Sequence, residues 1–105
     1  MANEFTKIAN LSDVPKGTVK VFELHGEQIA VCNADGTIYA VADLCSHDNG
    51  PLDQGTLEGC QIECPRHGAR FDIKTGEALC LPAVMPIPTY KVEQRGQGIW
   101  VGPKK

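Results

Sequence analysis

Two short clusters, Cys45-Ser46-His47 and Cys64-Pro65-Arg66-His67, each place a thiol and an imidazole close together, and sixteen residues separate His47 from Cys64. No other feature constrains the fold as much, because one metal centre taking all four side chains obliges two distant loops to meet. Each arm runs into a glycine, Gly50 or Gly68, which permits a tight loop. The surrounding stretch, from about residue 43 to 88, is rich in Cys, His, Gly and Pro. Its strand candidates are short: Gln61-Ile62-Glu63 and Ala69-Arg70-Phe71-Asp72, the latter followed by a turn at Lys74-Thr75-Gly76. Such a stretch cannot easily bury enough apolar surface by itself, so the sequence predicts another staple.

On either side the pattern changes. Thr18–Leu24 alternates apolar and polar residues with the period of a half-buried strand. Gln28–Cys32 and Thr37–Val41 are β-rich runs joined through Asn33-Ala34-Asp35-Gly36, and an Asp-Gly pair between apolar runs is a strong hairpin signal. Tyr90–Glu93 and Ile99–Val101 flank Gln94-Arg95-Gly96-Gln97-Gly98 as a closing hairpin. No helix-period run exceeds about two turns, and Leu11–Val14 is long enough for one short turn. The reading is an all-β chain with a loop-rich insert.

Composition narrows the function. The 105 residues favour one domain. The net charge is −3, and no Lys/Arg cluster occurs before Lys104-Lys105, which argues against nucleic acid as a partner. No apolar run approaches the roughly 20 residues of a membrane span. No signal-peptide pattern is visible, so the expected compartment is the reducing cytoplasm, where grouped cysteines bind metal more often than each other.

Two metals compete for the four side chains. Structural zinc sites commonly take two cysteines from one knuckle and two histidines from another, whereas here each arm mixes the types. A binuclear iron–sulfur cluster suits the mixing better. If each arm gives its cysteine to one iron and its histidine to the other, two facing loops close around one [2Fe–2S] unit.

Cys-x-His and Cys-x-x-His in this order and spacing resemble the Rieske iron–sulfur proteins, and the resemblance extends over essentially the whole chain. It implies a Rieske-like fold of antiparallel sheets: one domain over residues 1–105, a β-sandwich base at about 1–42 and 89–105, and a cluster-binding subdomain at about 43–88. It also implies that Cys45, His47, Cys64 and His67 ligate one Rieske [2Fe–2S] cluster. Two ferric ions, two sulfides and two thiolates sum to zero charge, so an electron is added more easily than to a four-thiolate cluster. Rieske potentials accordingly span roughly −150 to +300 mV, against about −400 mV for plant-type ferredoxins.

Departures from the respiratory members place the chain more narrowly. Those proteins carry a disulfide between the ligand loops, at positions occupied here by Gly50 and Arg66. They also carry a serine and a tyrosine that donate hydrogen bonds to the cluster sulfurs, where this chain has Ala69 and Phe71. Fewer donors stabilise the reduced state less, so the expected potential lies at the lower end of the range. What remains resembles the soluble ferredoxins of bacterial aromatic-ring-hydroxylating dioxygenase systems. There a flavin-dependent ferredoxin reductase supplies electrons and a terminal oxygenase receives them.

The resemblance thus implies a monomeric, non-enzymatic electron carrier of aromatic hydrocarbon catabolism. Service to another oxidoreductase or to iron–sulfur maturation is the neighbouring alternative, and a structural zinc module the alternative from another class. An oxygenase iron would need two more histidines and a carboxylate, and only His25 is left. Gly96-Gln97-Gly98 lacks the third glycine and the strand–helix setting of a dinucleotide site. Leu81–Pro88 resembles the proline-bearing loop that covers the cluster in this family and reads equally as a rigid connection. Leu44, Pro65, Pro82 and Pro86 are rim candidates for transient docking, with Asp48 and Arg66 as steering charges. Cys32, Cys60 and Cys80 read as packing residues and His25 as a turn residue.

Overall fold

The computed structural model describes residues 4–44, 51–52, 55–65, 68–81 and 83–105. The strands are β1 (Thr6–Asn10), β2 (Val19–Leu24), β3 (Glu27–Ala34), β4 (Thr37–Ala42), β5 (Thr56–Glu58), β6 (Gln61–Glu63), β7 (Arg70–Asp72), β8 (Ala78–Cys80), β9 (Thr89–Arg95) and β10 (Gly98–Lys104). One 3-10 turn, Leu11–Asp13, stands where the sequence predicts a short turn. The strands form a six-stranded sheet, in the order β1-β10-β9-β4-β3-β2, and a four-stranded sheet, β5-β6-β7-β8. Every pairing among the described residues is antiparallel.

Turn chemistry fixes the register of the central hairpins. His25-Gly26 has φ of 52° and 81°, and Asp35-Gly36 has 53° and 98°. Two successive left-handed residues are the two-residue turn whose twist matches that of the flanking strands. Asn33 anchors the second turn: its Oδ1 accepts the Gly36 N–H at 2.8 Å, and its Nδ2 donates to the Val14 carbonyl at 2.7 Å.

Strands β3 and β4 are walls for two cores. One face presents Ile29, Val31, Ile38, Ala40 and Ala42 to a core shared with Tyr90, Ile99 and Val101, so the six strands enclose one apolar interior as a sandwich base does. The opposite face presents Ala30, Cys32, Ala34 and Val41 to a second core, which contains Leu52, Ile62, Phe71, Ile73 and Ile87. Burial on both faces explains why residues 29–34 are buried without a break rather than alternating.

The structure amends the sequence reading in the middle of the chain. Two further strands, β5 and β8, flank the two expected ones. Ile62 and Phe71 of this sheet are fully buried in the core shared with the base, so a metal is not its only staple. Strand β1 is also additional to the sequence reading; it pairs with β10 across an irregularity between Lys7 and Ala9.

Candidate metal centre

The second arm is the loop of the β6–β7 hairpin. Glu63 and Arg70 form the last pair of the ladder. Just beyond it the Cys64 N–H donates to the Ala69 carbonyl at 2.7 Å, and the Gly68 N–H donates to the Cys64 carbonyl at 3.1 Å. Gly68 has φ of 76°, the left-handed conformation that glycine adopts without a Cβ clash. Cys64 is 1% exposed, in the same core as Leu52, Ala69 and Phe71, and carries no disulfide. Its backbone is thus held on both sides, and its thiol has an apolar setting.

The feet of the first arm are pinned as well. The Asp43 N–H donates to the Gln28 carbonyl at 3.0 Å, and the Leu52 N–H donates to Asp43 Oδ1 at 2.8 Å. The Gly55 N–H then donates to the Leu52 carbonyl at 2.8 Å. A Cβ on Gly55 would lie 2.0 Å from the Glu63 carbonyl oxygen, so only glycine lets the backbones approach this closely. The chain leaving the first arm therefore touches the residue that precedes Cys64. Cys45, His47 and His67 lie outside the described residues, as do Asp48, Arg66 and Pro82.

Ala69 and Phe71 are fully buried, and neither carries a hydroxyl. Ala83 and Ile87 anchor the segment after β8 in the second core, and the Ile87 N–H donates to the Gly76 carbonyl at 2.8 Å. From this backing Leu81, Val84 and Met85 project 75%, 73% and 61% exposed, which makes them the strongest apolar surface among the described residues. Sequence reasoning singled out the prolines of this segment. The apolar residues between them follow no strand or helix period, so the pattern did not say which would face outward. Of the docking candidates, Pro65 and Pro86 are exposed, whereas Leu44 is half-buried against the base core.

Arg70 spans the outer face of the small sheet. Its Nη1 donates to Glu58 Oε1 at 3.0 Å and Gln61 Oε1 at 3.3 Å, and its Nη2 donates to Glu63 Oε1 at 3.2 Å. The hydrogen bond to Glu58, with the charges of Glu58 and Glu63, raises the guanidinium pKa above its ordinary value. The unpaired cysteines separate into kinds. Cys32 is fully buried, and desolvation pushes its thiol up to about 12, so it stays protonated. Cys60 is half-buried against the second core. Cys80 is exposed, contrary to a packing role, and its Sγ lies 3.5 Å from the Gly68 carbonyl.

The site, of whose four expected donors Cys64 alone is described, has surroundings that suit a cluster taking two thiolates and two imidazoles. It offers a buried thiol on a fixed backbone and a first arm whose feet stand against the second, within an all-β fold of two antiparallel sheets. These features define a small iron–sulfur domain. The chain belongs to the Rieske [2Fe-2S] domain family, whose pattern it matches over residues 4–91, and the cluster of that family is bound by two cysteines and two histidines. It is 42% identical over 93 residues, 89% of each chain, to the ferredoxin component of the naphthalene 1,2-dioxygenase/salicylate 5-hydroxylase systems of a Ralstonia species. Its fold superposes with a TM-score of 0.91 on the ferredoxin of carbazole 1,9a-dioxygenase from Nocardioides aromaticivorans IC177, at 35% identity over 95% of this chain and 98% of that one. A ferredoxin solved in complex with the reduced oxygenase of carbazole 1,9a-dioxygenase matches with a TM-score of 0.90 and 33% identity, over 96% of this chain and 95% of that one.

Proposed function

We propose that this protein relays single electrons from an NAD(P)H-dependent flavin reductase to a terminal aromatic-ring-hydroxylating oxygenase, acting as a cytoplasmic monomer. The observation that carries the reading is the likeness to a ferredoxin solved with its oxygenase, extending over nearly the full length of both chains. No helix among the described residues is long and apolar enough to cross a membrane.

Cys45, His47, Cys64 and His67 are the proposed ligands, within a cluster-binding subdomain at about 43–88 set on the base. The cluster supplies reversible one-electron uptake with little rearrangement. The protein's own part is to hold the ligand arms still and to limit water access. The two hydrogen bonds across Cys64–Ala69 and the Asp43–Leu52 contact serve the first purpose. Buried Ala69 and Phe71 serve the second and offer no hydroxyl donor, which supports a potential at the low end of the Rieske range. The apolar residues Leu81, Val84 and Met85, with exposed Pro65 and Pro86, supply a small docking face of the kind used in brief redox encounters.

The test is reconstitution. A reddish-brown protein with a Rieske-type paramagnetic resonance signal after reduction is expected. With a flavin reductase, NADH and a terminal ring-hydroxylating oxygenase, product formation should depend on its presence. A colourless protein holding one zinc, or a reduced cluster that passes no electrons to the oxygenase, would sink the proposal.

A further inference from the structure

We propose that Arg70 sets the redox poise of the cluster by cancelling carboxylate charge at the foot of the second ligand arm. The inference rests on Cys64 and His67 serving as ligands. Arg70 contacts Glu58 on β5 and Glu63 on β6, so one cation sits between two anions on neighbouring strands. Glu63 immediately precedes Cys64, and a Cβ placed on Gly68 would lie 3.5 Å from Glu63 Oε2. Its carboxylate therefore borders both ends of the loop that carries the ligands.

A structural role alone accounts poorly for this arrangement. The Arg70 side chain is 32% exposed, and those of Glu58 and Glu63 are 71% and 38% exposed. Pairs this open to solvent stabilise a fold weakly. Their fixed charge still acts on a neighbouring redox centre, with a strength that falls as salt screens it. Reduction transfers one electron from the flavin reductase to the cluster and forms no bond, so the reduced site is one unit more negative. A neighbouring carboxylate without its cation disfavours that state and lowers the potential. Arg70 acts through Glu58 and Glu63 and is a positioning residue.

The experiment is a redox titration of the cluster-loaded protein at low and high salt, followed by paramagnetic resonance. It compares the wild type with Arg70→Gln, Arg70→Lys, Glu63→Gln and the Arg70→Gln/Glu63→Gln double variant. At low salt the midpoint should fall in Arg70→Gln, rise in Glu63→Gln, stay near wild type in Arg70→Lys and return toward wild type in the double variant. Each shift should shrink at high salt. An unchanged midpoint in Arg70→Gln, an Arg70→Lys shift as large as that of Arg70→Gln, or a double variant that falls further than the single would overturn the proposal. If Arg70→Gln loses its cluster, Glu63→Gln decides alone: a midpoint that does not rise refutes the charge argument. Wild-type protein without a Rieske signal would refute the ligand reading itself, an outcome separate from any of these shifts.

Discussion

In the six-stranded sheet the strands run from five to eight residues, whereas each strand of the four-stranded sheet has three. The side chains differ as well. At their shared boundary the base contributes mostly small buried residues, Ala30, Cys32, Ala34 and Val41, while the small sheet and its loops contribute Leu52, Ile62, Phe71, Ile73 and Ile87. Three-residue strands make too few ladder bonds to persist alone. The small sheet thus depends on the base and on whatever joins its loops, and the base depends on it much less.

Removing the cluster puts the largest strain on that asymmetry. Anaerobic chelation should lower hydrogen-exchange protection in β6 and β7 by several orders of magnitude while β3 and β10 stay protected. Equal loss in both sheets would break the comparison. Next come the core truncations. Phe71→Ala should cost about 3–5 kcal/mol and speed cluster loss. Ile99→Ala, in the base core, should cost about 2–5 kcal/mol in urea titrations and leave the rate of cluster loss unchanged.

Backbone constraint gives a smaller contrast. At Gly76 φ is 82°, and a Cβ would lie 2.0 Å from the Ile87 carbonyl oxygen. Gly36 has φ of 98°, and the nearest contact of its Cβ would be 3.6 Å away. Gly36→Ala should cost about 1–2 kcal/mol, the strain of a left-handed residue alone, and Gly76→Ala should cost more, as read from thermal midpoints.

The smallest effect belongs to the base. Lys104 and then Tyr90, both hydrogen-bonded to Glu27, hold its carboxyl below 4.5. That contribution is present above pH 4.5 and is lost as pH falls through the lowered folded value. Tyr90, raised from 10.0 to about 12 by burial and then by Glu27, contributes below pH 10 and loses it as pH rises through about 12. Glu27→Gln should flatten the acid limb of the base's thermal stability against pH, only reduce the alkaline limb that burial of Tyr90 sustains, and leave the cluster's midpoint potential unchanged.

What was legible in the sequence follows the same division. His25-Gly26 and Asp35-Gly36 announce their turns because local backbone chemistry alone selects them. The proposed ligand arms rest on side-chain chemistry alone, since Cys45, His47 and His67 lie outside the described residues, whereas the missing hydroxyl at Ala69 and Phe71 is plain in the sequence. Strands β5 and β8 were not, since three residues carry hardly one period of alternation and these two lack the β-branched or aromatic centre that Ile62 gives β6 and Phe71 gives β7. Gly55 went unnoticed because its reason for being glycine is the Glu63 carbonyl, contributed by another strand. The exposure of Cys80 and the contacts of Arg70 likewise depend on strand pairing, which composition does not record.

The small side chains on the outer wall of β3 and β4 also bear on how the protein acquires its inorganic centre. A small sheet that draws away from the base before the cluster is loaded uncovers both sides of the shared core. The base contributes Ala30, Cys32, Ala34 and Val41, with Val19 and Tyr39 partly buried beside them, whereas the other side shows Leu52, Ile62, Phe71, Ile73 and Ile87. The sticky surface of an opened apoprotein therefore lies on the small sheet and its loops, and seating that sheet early against the base hides it from other chains.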